Sequence, residues 1–133
     1  EPLLTEIVES RPTAWEEARR LADLQAEKED WAAASGSIGR AFAVAPFHAG
    51  VLTDRAHYAR KAGHLTAAAA DYRRLIAVDP ARQAEHRLHL AQVLRDASDP
   101  EGARREVVAL LEQTPHFWEA QSLLLDLVEE ASP

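Results

Sequence analysis

Apolar residues recur along this chain at spacings of four and three, in the sets Ala34, Ile38 and Ala41, then Ala68, Tyr72 and Leu75, then Ala103, Val107 and Leu110. Such spacing keeps one face of an α-helix apolar and the opposite face wet. Each set lies ahead of a proline, at Pro46, Pro80 and Pro115, and with Pro12 these prolines are 34, 34 and 35 residues apart. A second series of alanines, Ala22, Ala56 and Ala91, precedes the first alanine of each set by twelve residues. A period of this size signals an array of short structural repeats.

The pattern has a physical reading. Where two helices of one unit cross, a small side chain on each lets the backbones approach closely. The residue before a proline is pushed out of the α region, so the second helix of each unit ends there. Turn residues separate the paired helices: Glu29-Asp30 in the first unit, Gly63-His64 in the second, Ser98-Asp99-Pro100 in the third. The predicted helices lie near residues 3–10, 14–28, 31–44, 49–62, 65–78, 83–96, 101–113 and 117–130. The extra residue of the 35-residue interval falls in the turn near Ala81–Ala84.

The runs LADLQAEKEDWAAASGSIGRAFAVAP, RAHYARKAGHLTAAAADYRRLIAVDP and LAQVLRDASDPEGARREVVALLEQTP resemble the tetratricopeptide repeat. Its marks are a small residue on each helix, a large one later on the second helix and a closing proline. The resemblance implies an all-α, right-handed superhelical solenoid of antiparallel helix pairs. It forms one domain: a half repeat at 1–12, full repeats at 13–46, 47–80 and 81–115, and a capping helix at 116–133. The chain reads as part of a longer protein. Four positions depart from the pattern: Arg55 stands where Leu21 and Leu90 stand in neighbouring units, Gln25 and Ala59 replace a large residue, and Arg87 takes an apolar slot. In the last helix Leu125 stands in the alanine slot, which suits a helix with none after it, and Leu124, Leu127 and Val128 are expected to cover the final apolar edge.

Charge and chemistry narrow the function. A formal net charge of −7 argues against a nucleic-acid partner, whose affinity would need cationic surface; the RNA-binding pentatricopeptide arrays of similar period are disfavoured for that reason. No apolar run approaches a membrane span, so no membrane partner is expected. There is no cysteine and no nucleophile-elbow, phosphate-loop, dinucleotide or zinc-protease motif. His86 and His89 share a helical face with Glu85 nearby, but two imidazoles make a poor zinc site, and both are expected at the surface. Trp15, Trp31 and Trp118 are expected to fill wedges between helices. Neither enzyme activity, cofactor nor metal is expected. The compartment stays open, with the cytoplasm slightly favoured.

Such solenoids hold extended segments on a concave wall lined by the first helix of each unit. The packing alanines turn Arg19 and Asp23, then Thr53, His57, Arg60 and Lys61, then Leu88, Gln92 and Arg95 toward that wall, with Glu16 at one end and Ser122, Asp126 and Glu129 at the other. The lysine and asparagine clamp with which some family members hold chaperone tails is not reproduced here. Arg60 and Arg95 stand four residues beyond Ala56 and Ala91 and are expected to form a two-pronged site for an acidic protein or peptide partner. The other reading is a structural spacer appended to a larger, catalytic protein.

Overall fold

A computed structural model of the chain describes residues 14–131. The expected helix near 3–10, and with it the half repeat, lies outside the described residues. Within them are seven α-helices: α1 (Ala14–Glu27), α2 (Trp31–Val44), α3 (Ala49–Lys61), α4 (Leu65–Val78), α5 (Gln83–Asp96), α6 (Pro100–Gln113) and α7 (Trp118–Ala131). One 3₁₀ turn, Pro80–Arg82, runs into α5 at the place of the extra residue. No strand occurs among the described residues.

The six alanines of the ruler have no exposed surface at all: Ala22, Ala34, Ala56, Ala68, Ala91 and Ala103 are each at 0 %. The apolar residues that follow Ala34, Ala68 and Ala103, namely Ile38, Tyr72 and Val107, then Ala41, Leu75 and Leu110, are buried as well. The second helices end alike. Ala45, Asp79 and Thr114, each directly before a proline, leave the helix at φ −127°, −133° and −135°, while their N–H groups still close the last turn onto Ala41, Leu75 and Leu110. The turns between paired helices also repeat, with Glu29 (φ 59°), Gly63 (φ 85°) and Ser98 (φ 66°) all left-handed. Asp30 and Asp99 then cap the next helix, their carboxylates accepting from the N–H of Ala33 and Gly102 at 3.2 and 3.0 Å. The Glu29-Asp30 turn is thus built like the Ser98-Asp99 turn.

The described residues divide into two compact units, 14–63 and 64–131. In the first, α1 packs on α2 and α2 on α3. Ala22, Ala34, Ile38, Ala41, Val51 and Tyr58 make its core, with Trp15, Trp31 and Phe42 half-buried against it. In the second, α4 packs on α5, α5 on α6 and α6 on α7. Its core gathers Leu75, Leu90, Val93, Val107 and Leu110 among others.

The polar misfits of the repeat pattern, Arg55, Arg87 and Gln25, each find a partner. The Arg55 guanidinium lies over the Phe42 ring at 3.8 Å from its centroid. Arg87 donates to Glu106 at 2.8 Å, and the amide oxygen of Gln25 accepts from the buried hydroxyl of Ser37 at 2.7 Å. Two apolar expectations need correction. Trp118 is 68 % exposed and fills no wedge; in α7 the buried residues are Ala120, Leu123 and Leu127, leaving Leu125 at 65 % and Val128 at 48 %. Only Leu127 of the three expected edge residues is fully covered, because the face of α7 that would meet a following helix points outward.

Two substitutions test this packing. Ala34→Phe should force α1 and α2 apart and lower the unfolding free energy by about 1–3 kcal/mol in urea titrations. Gly63→Ala should cost about 1 kcal/mol, because a Cβ is strained at φ 85° although space is open around it, whereas Gly36→Ala, inside α2 and equally uncrowded, should be neutral or stabilising.

Candidate functional site

In the first unit, neighbouring faces of α1 and α3 carry a connected set of polar side chains. Two ties link these helices. Arg19 Nε donates to Asp54 Oδ2 at 2.6 Å, and the Tyr58 hydroxyl donates to Asp23 Oδ1 at 2.5 Å. The first is a charge-assisted bond, half-shielded from solvent. Burial nevertheless holds the Asp54 carboxyl above its ordinary value, its desolvation outweighing the opposing pull of Arg19. The Tyr58 hydroxyl is pushed far up by burial and by its bond to Asp23. It therefore acts as a permanent donor that fixes the Asp23 carboxylate.

Three rings lie beside this pair. Trp31 at the start of α2 meets His57 edge-on, with centroids 6.0 Å apart, and Tyr58 at 6.2 Å, while His57 and Tyr58 are 5.9 Å apart. Burial, then the nearby Lys61, lowers the His57 pKa, so this imidazole stays neutral further into acid than a free one. Asp23, Ala26, Glu27, Trp31, His57 and Tyr58 line an open pocket of about 380 Å³. A second, of about 350 Å³, lies along α1 between Trp15, Glu16, Arg19, Arg20, Asp23 and His48. Asp23 belongs to both.

Of the residues expected on a binding wall, Arg19, Asp23, Thr53, His57, Arg60 and Lys61 lie in this first unit. Arg19 and Asp23 are committed to their α3 partners, Thr53 is exposed with its hydroxyl donating to the Ala49 carbonyl, and His57 and Lys61 are exposed. The second unit holds the others, with two corrections. Leu88 is only 7 % exposed and serves the core. The Arg95 guanidinium is met by the carboxylate of Glu130 and lies 3.9 Å from that of Asp126, both on α7, so this prong of the expected anion site is answered from within. Gln92 is half-buried. Nor is His86 a surface residue. It is 5 % exposed with its Nε2 3.0 Å from Asp79 Oδ2, and His89 packs on the Tyr72 ring at 5.4 Å. No three metal-ligating side chains converge among the described residues.

Sequence reasoning missed the ties themselves, yet a signal was present. Arg19–Asp54, Asp23–Tyr58 and Arg95–Glu130 each join residues 35 apart, about one repeat. In stacked repeats, positions one period apart on like helices face each other, so complementary groups at that separation are candidate partners.

The lowered His57 pKa can be checked directly. Its imidazole should titrate by NMR below the ordinary value of about 6.5, and Lys61→Gln should raise the midpoint by removing a like charge.

No protein-family model matches the chain, and no curated sequence does. The similarity is structural. The first tetratricopeptide domain of Spaghetti (RPAP3), bound to an HSP90 peptide, superposes with a TM-score of 0.75 over 89 % of this chain and 93 % of that one at 14 % identity. MamA gives 0.78 over 95 % and 73 % at 15 % identity. The Yersinia enterocolitica type III secretion chaperone SycD, in complex with a peptide of the translocator YopD, gives 0.73 over 88 % and 94 %, also at 15 %. At these identities what is shared is the fold, and the chain is an all-α array of helix pairs with the tetratricopeptide-repeat fold.

Proposed function

We propose that this chain is a protein-interaction module without catalytic activity, and that it holds a peptide segment of a partner on the face shared by α1 and α3. The observation that carries the reading is the pair of adjoining open pockets along α1, with the Asp23 carboxylate common to both. An extended peptide needs such a row of side-chain sites on a rigid wall. The Arg19–Asp54 and Asp23–Tyr58 ties supply rigidity by fixing polar groups before a ligand arrives, which lowers the ordering cost of binding. Two structurally similar domains, that of RPAP3 and SycD, are described with bound peptides, in keeping with this use of the fold.

An acidic partner held between Arg60 and Arg95 is less well supported, since Arg95 already has carboxylates around it. The spacer reading has one observation in its favour: Trp118, Leu125 and Val128 on α7 leave an apolar face open that a further helix would cover.

Selection of peptides from a random displayed library against the whole chain tests the proposal. Selected peptides should alter the emission of Trp15 or Trp31, which line the two pockets, and should bind at least about ten-fold more weakly to His57→Ala or Arg20→Glu variants. That factor corresponds to about 1.4 kcal/mol. Peptides that bind these variants as they bind the parent would move the site off this face, and a failure to select any sequence above background would favour the spacer.

A further inference from the structure

Resting on that reading, we infer that the pocket between α1, Trp31 and α3 accepts an arginine side chain of the partner, so that the peptide is basic at this point. Its walls are chemically one-sided. Two carboxylates, Asp23 and Glu27, stand four residues apart on the exposed side of α1, and no cationic side chain is among the lining residues. The facing wall is aromatic, from Trp31, His57 and Tyr58. Carboxylates opposite ring faces attract a cation twice, by charge and by the negative face of the π-system.

The geometry favours guanidinium over ammonium. A guanidinium is flat, stacks on an indole and presents N–H groups in a fork that a carboxylate meets with two contacts. Asp23 Oδ1 is engaged by Tyr58, which orients the carboxylate and leaves Oδ2 to accept from a ligand. Glu27, one turn further along α1, supplies a second acceptor. Arg19, one turn before Asp23 on α1, is drawn to Asp54 at 2.6 Å. His57, whose pKa is lowered by partial desolvation and by Lys61, adds a ring to the wall and little opposing charge near pH 7.

The test uses the whole chain and three blocked pentapeptides that differ at the central residue of a glycine frame: arginine, lysine, or citrulline, which keeps the shape of arginine without its charge. Binding is read by NMR from the Trp31 indole N–H and the His57 ring. The arginine peptide should shift both signals and bind at least about ten-fold more tightly than the citrulline peptide. Lysine should fall between, and added salt should weaken the binding. Glu27→Gln, at an exposed position where folding is not at stake, should remove most of the preference for arginine over citrulline.

Equal binding of arginine and citrulline, or a preference for arginine that survives both Glu27→Gln and Asp23→Asn, would overturn the assignment. Lysine binding as tightly as arginine would overturn the guanidinium geometry. These outcomes are separate from the library selection: peptides without arginine that still bind the α1–α3 face would sink this inference and leave the groove reading in place.

Discussion

Close approach of helix backbones at alanine is the interaction on which the rest of this structure depends. All six alanines of the repeat ruler are fully buried, and buried apolar residues follow Ala34, Ala68 and Ala103 at four and seven positions on the same helical face. That choice of one face for packing fixes which side chains are left for solvent. Arg19, Asp23 and Glu27 on α1, and His57 and Lys61 on α3, are turned away from the seam because Ala22 and Ala56 are turned into it. The polar face of the first unit is therefore a consequence of its packing.

Much of the fold was legible in the sequence because its signals are local and repeated. The residue before each proline, the left-handed turn residue and the buried alanines recur at one period, and all seven described helices begin within a residue of their expected starts at 14, 31, 49, 65, 83, 101 and 117, with α3 and α1 ending one residue early. Less of the site was legible. Which exposed charges are spent on internal partners depends on pairs 35 residues apart, and helix-face reasoning treats each helix alone. Arg95 was thus read as open when Glu130 already meets it. Leu88 was placed on the wall from its angle on α5, although that side is covered. His86 looked like surface because the spacing of two histidines says nothing about Asp79 beyond the helix start.

The same one-period relation ties packing to function. Joining like helices through Arg19–Asp54 and Asp23–Tyr58 removes charge that would otherwise be free and holds what remains in fixed positions. Glu27, the second oxygen of Asp23 and the ring of Trp31 then sit around one opening. The charge character of the face follows less from the chain's net charge of −7 than from which of its charges the fold has paired internally.

The most direct measurement is a backbone amide NMR map of the whole chain, with and without a peptide obtained by selection against it. The account predicts that the largest shifts cluster on α1 between Glu16 and Glu27, on α3 between Thr53 and Lys61, and at Trp31, with α2 beyond its first turn and α6 little changed. Shifts centred instead on the outer residues of α2, such as Arg40 and Ala43, or on the exposed face of α7 around Trp118 and Leu125, would contradict it.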